Sequence, residues 1–226
     1  MRTEPVVLVH GWGGSFARTW QEPGWEALLQ DAGREVIGVD LLGHGTAPKP
    51  HDPAAYADLT TRIVEALPDR PVDAVGFSLG AHTLLELACR EPHRFARLVV
   101  AGVGANLFRT EGGDRIAKAV GGEADPEDVT AQLFATYANE PGNDPEALRA
   151  CLQREAPRLT PERLAAVTMP VLVVLGDRDF AWPADALVEA LPSATFLPIR
   201  NLDHFATPKD FRFIDGALEF LDAVPG

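Results

Sequence analysis

Short apolar runs rich in β-branched residues alternate with helical patterns along most of this chain, and this alternation is the strongest constraint on its fold. The candidate strands are Val6–Val9, Glu35–Val39, Val72–Phe77, Leu98–Val103, Val171–Leu175 and Thr195–Ile199. They are almost continuously apolar, which is typical of parallel strands covered on both faces. The sequence therefore predicts an α/β fold, a doubly wound and mostly parallel sheet of about six strands joined by right-handed crossovers.

Between these strands, apolar residues recur at helical spacing. The predicted helices of the core are Tyr56–Leu67, Ala81–Glu91, Ala184–Leu191 and Phe211–Leu221. In the first of them Leu59, Ile63 and Leu67 share one face, as expected of a helix that packs on a sheet.

One long segment interrupts the alternation. From Asn106 to Thr168 the chain offers no strand candidate, only helical stretches separated by turn signals such as Gly121-Gly122 and Pro141-Gly142-Asn143. This is too long for one ordinary crossover. We interpret residues 106–168 as a small helical lid inserted into a core formed by residues 1–105 and 169–226. The alternative is a longer crossover packed on one face of the sheet.

Composition limits the partners of the chain. Its 226 residues are 46% hydrophobic, enough for a substantial core, and its net charge of −13 disfavours nucleic acid and anionic membranes as partners. Cys89 and Cys151 show no metal-ligand spacing and are expected to be reduced thiols. The apolar run Val6–Val9 is too short for a signal peptide or a membrane span. We therefore expect a cytoplasmic protein with a small-molecule substrate; the sequence leaves its oligomeric state open.

The stretch Gly76-Phe77-Ser78-Leu79-Gly80 lies between a candidate strand and a candidate helix. A G-x-S-x-G motif in that context is typical of a nucleophile elbow, a strained turn that presents the serine above the sheet. The glycines have no Cβ atom, so the strand and the helix can approach each other closely.

Ligands of open α/β sheets bind at the carboxyl ends of the strands, so the residues that follow each strand are the candidate site residues. Ser78 follows the third strand, Asp177 and Asp179 follow the fifth, and His204 follows the sixth. The order Ser, Asp, His is the one expected of a serine hydrolase on such a sheet. A serine hydroxyl is a poor nucleophile until a base removes its proton, and a carboxylate must orient that base.

With these segments in place, the chain resembles the α/β-hydrolase family over nearly its whole length. The resemblance rests on His10-Gly11-Trp12-Gly13-Gly14, Asp40-Leu41-Leu42-Gly43-His44-Gly45, the G-x-S-x-G stretch, Gly176-Asp177-Arg178-Asp179 and Asp203-His204-Phe205. Two antiparallel strands that commonly precede the first of these segments in the family are not recognised, so a minimal version of the fold is expected.

The resemblance implies a role for individual residues. Ser78 is the expected nucleophile, His204 the base and Asp179 the acid, with Asp177 as the alternative acid. The backbone N–H groups of Trp12 and Leu79 are the expected oxyanion donors. No metal or organic cofactor is implied, and a serine at the elbow argues against the relatives that use aspartate there, the epoxide hydrolases and haloalkane dehalogenases.

Aromatic residues on or beside the strand ends and in the lid suggest an apolar substrate pocket. The predicted pocket residues are Phe77, Phe108, Phe134, Tyr137, Trp182 and Phe205. The expected function is cleavage of a small, apolar carboxylic ester, or of a thioester or lactone, through an acyl-enzyme. A lyase or C–C bond hydrolase with the same three residues is the alternative, and a ligand-binding module with a vestigial triad is a further one.

The other polar residues near the motifs have structural interpretations. His10 is expected to hold the glycine loop by hydrogen bonds, and His44 is expected to be structural. Asp203 is expected to hydrogen-bond locally, with an effect on the basicity of His204 as the alternative. His82 is expected to pack in its helix or face the lid, while the loop residue His51 is expected to be solvated.

Overall fold

The computed structural model describes residues 3–109, 113–123 and 125–226, and within them the chain forms one parallel sheet of six strands. The strands are β1 (Val6–Val9), β2 (Val36–Val39), β3 (Val72–Phe77), β4 (Phe95–Ala101), β5 (Val171–Gly176) and β6 (Ala194–Ile199). Their order is β2-β1-β3-β4-β5-β6, and every neighbouring pair is parallel. The predicted fold class is confirmed.

Nine helices flank the sheet within the described residues. They are α1 (Trp25–Asp31), α2 (Thr61–Ala66), α3 (Leu79–Arg90), α4 (Gly113–Val120), α5 (Val129–Ala138), α6 (Pro145–Leu152), α7 (Pro161–Leu164), α8 (Asp185–Ala190) and α9 (Phe211–Phe220). In the part of the chain that the structure describes, no helix has both the length and the apolar composition needed to cross a bilayer.

Side chains that alternate along each strand divide the core into two layers. One layer contains the strand residues Leu8, Val75, Val99 and Val174 with Trp25, Leu29, Phe213 and Ile214 from α1 and α9. The other contains Val7, Val9, Val100 and Val173 with Ile63, Leu84, Leu87 and Leu187 from α2, α3 and α8. Helices therefore cover both faces, which is why β1, β3 and β5 are buried along their whole length.

Two predicted elements begin more than two residues away from the position predicted for them. The helix predicted over Tyr56–Leu67 is a 3₁₀ turn at Pro53–Tyr56 followed by the shorter helix α2. The Asp58 carboxylate accepts hydrogen bonds from the backbone N–H and the hydroxyl of Thr60, and this local turn competes with helix formation. Strand β4 begins at Phe95, before the predicted Leu98, because Phe95 pairs with Val72 across an irregularity in the register.

The helices α4, α5, α6 and α7 lie between β4 and β5. This is the segment in which the sequence contains no strand candidate. Their starts follow the polar residues of that segment: Asp128, Asp144 and Thr160 each accept a hydrogen bond from the first turn of the next helix. We call residues 113–123 and 125–164 the helical segment. Residues 110–112 and 124 of the predicted lid lie outside the described part of the chain, and its domain boundaries stay a prediction.

A buried arginine ties the two ends of the chain to the sheet. The guanidinium of Arg34 donates to the backbone carbonyls of Glu4 and Leu221 and to the carboxylate of Asp73, at 2.5 Å for the last contact. The side chains of Arg34 and Asp73 are both fully buried.

We predict that Arg34→Met destabilises the fold by about 3–5 kcal/mol, because it removes a buried cation from its carboxylate partner and leaves two carbonyls without their donor. Urea unfolding measures the change. The control is Arg70→Met, which breaks an exposed pair with Glu35 and is expected to cost less than about 1 kcal/mol. Equal losses in the two variants would contradict the prediction.

Candidate active site

Ser78 lies in the sharp turn between β3 and α3 with a backbone φ of 51° and ψ of −112°. A positive φ is strained for a residue with a side chain, and such strain persists only when the surrounding structure enforces it. Here the packing of α3 enforces it. A Cβ atom at Gly80 would lie 2.2 Å from the carbonyl oxygen of Val9 in β1, so only glycine allows the helix to come this close.

The three side chains predicted to meet at this edge of the sheet form one chain of hydrogen bonds. The hydroxyl Oγ of Ser78 lies 2.9 Å from Nε2 of His204, and Nδ1 of His204 lies 2.8 Å from Oδ2 of Asp179. Because a carboxylate only accepts, Nδ1 carries the proton and donates it to Asp179. When the ring is neutral, this tautomer leaves Nε2 as an acceptor for the Ser78 hydroxyl.

Asp179 is held for this contact by its own backbone neighbourhood. Its second oxygen, Oδ1, accepts a hydrogen bond of 2.8 Å from the N–H of Ala181, and the residue is 4% exposed. The other candidate acid, Asp177, is exposed and accepts from the N–H of Asn201 instead. Asp203 accepts from the N–H of Ala206, a local contact. Of the three acids, Asp179 is therefore the one that contacts His204.

Three aromatic rings surround the imidazole of His204. Ring centroids of Phe180, Phe77 and Phe205 lie 4.3, 4.8 and 5.6 Å from it, and His204 is 4% exposed. The rings limit the orientations open to the imidazole and exclude water from its flanks. A hydrogen bond in such surroundings is stronger than the same bond in water.

The glycine-rich loop after β1, His10–Ser15, packs directly against the serine. A Cβ atom at Gly11 would lie 3.2 Å from Cβ of Ser78. The N–H of Gly14 donates to the carbonyl of Gly11 at 3.0 Å and closes a tight turn with Trp12 and Gly13 at its centre. The N–H of a residue at the second position of such a turn takes no part in the closing bond. Trp12 occupies that position.

The N–H of Leu79, like that of Trp12, takes no part in the hydrogen bonds of its own element. Leu79 is the first residue of α3, and the first N–H groups of a helix have no carbonyl partner within it. The two backbone donors that the sequence indicated thus belong to elements that flank Ser78, one on the loop and one on the helix.

Buried His10 holds the loop from the core side, and buried His44 packs against the His10 ring. His10 donates through Nδ1 to the carbonyl of Gly11 at 2.7 Å and accepts through Nε2 from the N–H of Leu41 at 3.1 Å. His44 is within 2.8 Å of the carbonyl of Leu42, and its ring lies 5.1 Å from that of His10. Burial lowers the pKa of His10, and burial with the neighbouring His10 lowers the pKa of His44 to about 3.

Two other histidines lie at the helical segment. His82 in α3 is half-buried, and its pKa is lowered to about 4 by burial and by Arg154 and Arg163. His51 is exposed, as expected, but its ring nitrogens contact Asp144 and Glu146 at 3.0 Å, and the hydrogen bond to Asp144 raises its pKa.

A cavity of about 340 Å³ opens beside Ser78 and His204. Aromatic and apolar residues form much of its wall: Trp12, Phe77, Leu133, Phe134, Tyr137, Phe205 and Pro208. Charged and hydroxyl side chains form the rest: Arg18, Thr19, Glu22, Thr136, Glu140 and Lys209. Helix α5 and the residues just after it supply one wall, so the helical segment contributes directly to the cavity.

Of the six predicted pocket residues, Phe77, Phe134, Tyr137 and Phe205 line this cavity. Phe108 and Trp182 require correction. Phe108 ends a 3₁₀ turn and packs against the core layer that contains α8. Trp182 is turned toward the edge of the sheet, where its ring lies 6.1 Å from that of Phe196 in β6. The turn closed by the Trp182 N–H and the Asp179 carbonyl sets this direction.

The polar part of the cavity wall was not found in the sequence. Arg18 and Thr19 belong to a single π-helical turn, and Glu140 follows α5. None of them lies at the end of a strand, so the rule that located Ser78 and His204 gives no signal for them.

A family model described as the alpha/beta hydrolase family matches residues 6–213. The chain therefore belongs to the alpha/beta hydrolase family, as its motifs suggested.

Individual relatives differ in what they act on. The chain is 32% identical to a pimeloyl-acyl-carrier-protein methyl ester esterase of Methylococcus capsulatus, over 81% of this chain and 80% of that protein. It is 35% identical to a 2-hydroxy-6-oxo-2,4-heptadienoate hydrolase of Pseudomonas putida, over 50% of this chain and only 42% of that protein. Among solved structures, a thermophilic esterase from Thermogutta terrifontis is similar with a TM-score of 0.73 and 21% identity, covering 99% of this chain and 91% of that one. At that identity the structure supports the fold alone.

We predict that the buried, neutral His44 makes the fold sensitive to acid. The unfolded chain takes up a proton on this residue near pH 6.5, whereas the folded chain does so only at about pH 3. Between these values the unfolded state binds more protons, so the free energy of unfolding falls as the pH falls. Urea unfolding from pH 7 to pH 5 measures the slope.

His44→Asn retains an N–H donor for the Leu42 carbonyl but cannot titrate, so its free energy of unfolding should depend less steeply on pH. His93→Asn, which removes an exposed imidazole, is the control for losing one histidine. The interpretation fails if wild type and His44→Asn show the same slope.

Proposed function

We propose that this protein is a serine hydrolase that cleaves a small, mainly apolar carboxylic ester through an acyl-enzyme. The observation that carries the proposal is the continuous hydrogen-bond chain from Ser78 through His204 to Asp179. A hydroxyl bonded to a neutral imidazole, whose other nitrogen is fixed by a carboxylate, is the arrangement that activates serine for attack on a carbonyl.

In the first half-reaction, Ser78 Oγ forms a bond to the ester carbonyl carbon while His204 Nε2 takes the hydroxyl proton. The carbonyl oxygen becomes an oxyanion. When the tetrahedral intermediate collapses, the bond to the alcohol oxygen breaks and His204 returns its proton to that oxygen. Asp179 remains ionised and stabilises the imidazolium that exists between the two transfers. The acyl group is then an ester of Ser78.

In the second half-reaction, water attacks the acyl-enzyme and His204 takes one of its protons. Collapse of the second intermediate releases the carboxylic acid and returns the proton to Ser78. Every proton that moves passes through His204. One base therefore serves both half-reactions, and water is the only co-substrate.

The oxyanion is stabilised by the N–H groups of Trp12 and Leu79. The position of each group in the fold supports this role. The Trp12 N–H takes no part in the hydrogen bond that closes its turn, and the Leu79 N–H begins a helix whose dipole favours negative charge. A donor of this kind is typically worth roughly 3 kcal/mol of transition-state stabilisation.

The cavity supports a compact substrate. Its volume of about 340 Å³ is at the small end for ligand sites, and its aromatic wall suits an apolar group next to the reacting carbonyl. We propose that the helical segment acts as the lid of this site, since α5 forms one wall. The methyl ester esterase among the relatives supports ester hydrolysis. The two free cysteines support a reducing compartment such as the cytoplasm.

Hydrolysis of a C–C bond is a second candidate, and a specific observation favours it. The chain is 28% identical, over 90% of its length, to a 2-hydroxy-6-oxononadienedioate hydrolase of Pseudomonas putida. The dienedioate in that name contains no ester, so its hydrolysis breaks a carbon–carbon bond. The same residues could serve, with His204 protonating a carbon leaving group instead of an alcohol.

The experiment that tests the proposal is a series of p-nitrophenyl esters of increasing acyl length, with a 2-hydroxy-6-oxo-dienoate as the C–C substrate. We predict turnover of the short esters, weaker activity as the acyl chain outgrows the cavity, and a loss of about 10⁴-fold or more in kcat for Ser78→Ala. If Ser78→Ala turns over every substrate as fast as wild type, the serine mechanism is wrong. Activity confined to the dienoate would favour the second candidate.

A matched pair of variants tests the acid. We predict that Asp179→Asn lowers kcat by about 10⁴-fold, because an amide at this position favours the wrong tautomer of His204. Asp177→Asn makes the same chemical change two residues away, where the carboxylate accepts from the Asn201 N–H and not from His204, and its effect should be far smaller. Steady-state kinetics on the best ester measures both. The assignment is overturned if Asp177→Asn is the more damaging change.

A further inference from the structure

Several contacts between the helical segment and the core fall on or next to the loop that carries Trp12. The side-chain amide of Asn143, in the connection between α5 and α6, donates to the carbonyl of Gly13 at 2.9 Å. The indole N–H of Trp12 donates to the carbonyl of Leu148 in α6 at 3.0 Å. Just beyond the loop, Arg18 forms an ion pair with Glu140.

Close packing accompanies these bonds. A Cβ atom at Gly13 would lie 2.7 Å from Cδ1 of Tyr137. The aromatic ring of Tyr137, which belongs to α5, therefore packs directly on the backbone of the loop. Gly13 also has a φ of 72°, which a residue with a side chain rarely adopts. The local sequence thus allows the helical segment to reach the loop backbone.

The contact of Asn143 continues into the peptide that holds the proposed oxyanion donor. The carbonyl of Gly13 and the N–H of Gly14 belong to one planar peptide group. That N–H donates to the carbonyl of Gly11, which shares a planar peptide group with the N–H of Trp12. Fixing the Gly13 carbonyl therefore fixes the direction in which the Trp12 N–H points, through two rigid groups and one hydrogen bond.

The same Gly11 carbonyl accepts a second hydrogen bond, from His10 at 2.7 Å. His10 is fully buried, so this bond holds the Gly11–Trp12 peptide from the core side. Asn143 acts at the other end of the turn, from the helical segment. The turn is therefore fixed at both ends, by His10 from the core and by Asn143 from the helical segment. The helical segment also forms one wall of the cavity.

The side-chain amide of Asn143 donates to two backbone carbonyls. Its Nδ2 group lies 2.9 Å from the carbonyl of Gly13 and 3.0 Å from the carbonyl of Tyr137, so both of its hydrogens face acceptors. A carboxylate of the same size would place an acceptor against two acceptors. Such a contact is repulsive and leaves both carbonyls without a donor.

We propose that Asn143 is a positioning residue, through which the helical segment aims the Trp12 N–H at the oxyanion. This inference rests on the proposed function. It predicts that loss of the Asn143 amide reduces the stabilisation of the transition state. Substrate binding should be nearly unchanged, because the side chain contacts the loop backbone and not the reacting atoms.

The test compares Asn143→Asp with Asn139→Asp. Asn139 lies four residues away at the end of α5, and its amide donates to the carbonyl of Ala135 within the same helix, away from the loop. Both variants make the same change of an amide to a carboxylate in the same part of the chain. Measurements are kcat and KM on the best ester, and the inhibition constant of a trifluoromethyl ketone, which adds to Ser78 and places a negatively charged oxygen in the oxyanion site.

For Asn143→Asp we expect kcat to fall about tenfold and the inhibition constant to rise about tenfold, since small misplacements near the chemistry have effects of this size or larger. KM should stay within about twofold of wild type, as for an interaction made only in the transition state. Asn139→Asp should match wild type in all three. Asn143→Ala, which removes the amide without adding charge, carries the same expectation if Asn143→Asp does not fold.

Two results would overturn the inference. One is an Asn143 variant whose kcat and ketone inhibition both match wild type. The other is a variant in which KM rises while kcat is unchanged, because that pattern belongs to a residue that merely shapes the cavity. Ser78→Ala distinguishes failure of this inference from failure of the proposed function. If Ser78→Ala is inactive while Asn143→Asp is unaffected, the hydrolase proposal stands and this inference fails. If Ser78→Ala is as active as wild type, both are wrong.

Discussion

The close approach of α3 to β1 at Gly80 is the constraint on which the site depends. The absence of a side chain at Gly80 lets the helix begin almost against the Val9 carbonyl, and the chain must then turn sharply at Ser78 to enter it. That turn places the Ser78 hydroxyl 2.9 Å from Nε2 of His204, and the first N–H of the helix has no carbonyl partner within the helix. A wider gap between helix and strand would relax the backbone and lower the serine away from His204.

The sequence was sufficient to predict the parts of the site that a parallel sheet places by itself. Ser78, Asp179 and His204 each follow a strand, and parallel strands deliver whatever follows them to one edge. The choice between Asp177 and Asp179 was harder, because both carboxylates follow β5 within two residues. What separates them is burial and one backbone donor: Asp179 is enclosed and receives the Ala181 N–H, while Asp177 stays exposed.

Contacts made by chain folded back over the sheet could not be predicted in the same way. Periodicity predicts helical stretches in residues 106–168, but it does not indicate which helix face contacts which loop. Phe134 and Tyr137 reach the cavity, whereas Phe108 and Trp182, equally aromatic and equally near strand ends, turn to other neighbours. Asn143 carried only a turn signal in the sequence, and its contact with Gly13 crosses 130 positions of the chain.

These contacts suggest why substrate selection and catalysis need not be separate properties here. The cavity wall and the hold on Gly13 both belong to the helical segment, with Tyr137 in α5 and Asn143 just after it. The bond between Asn143 and the Tyr137 carbonyl joins them, so a shift of the wall is transmitted to the loop. Replacing wall residues to admit a larger substrate would then also disturb the aim of the Trp12 N–H. By contrast, the core-side hold comes from His10, which is fully buried and is not part of the cavity wall.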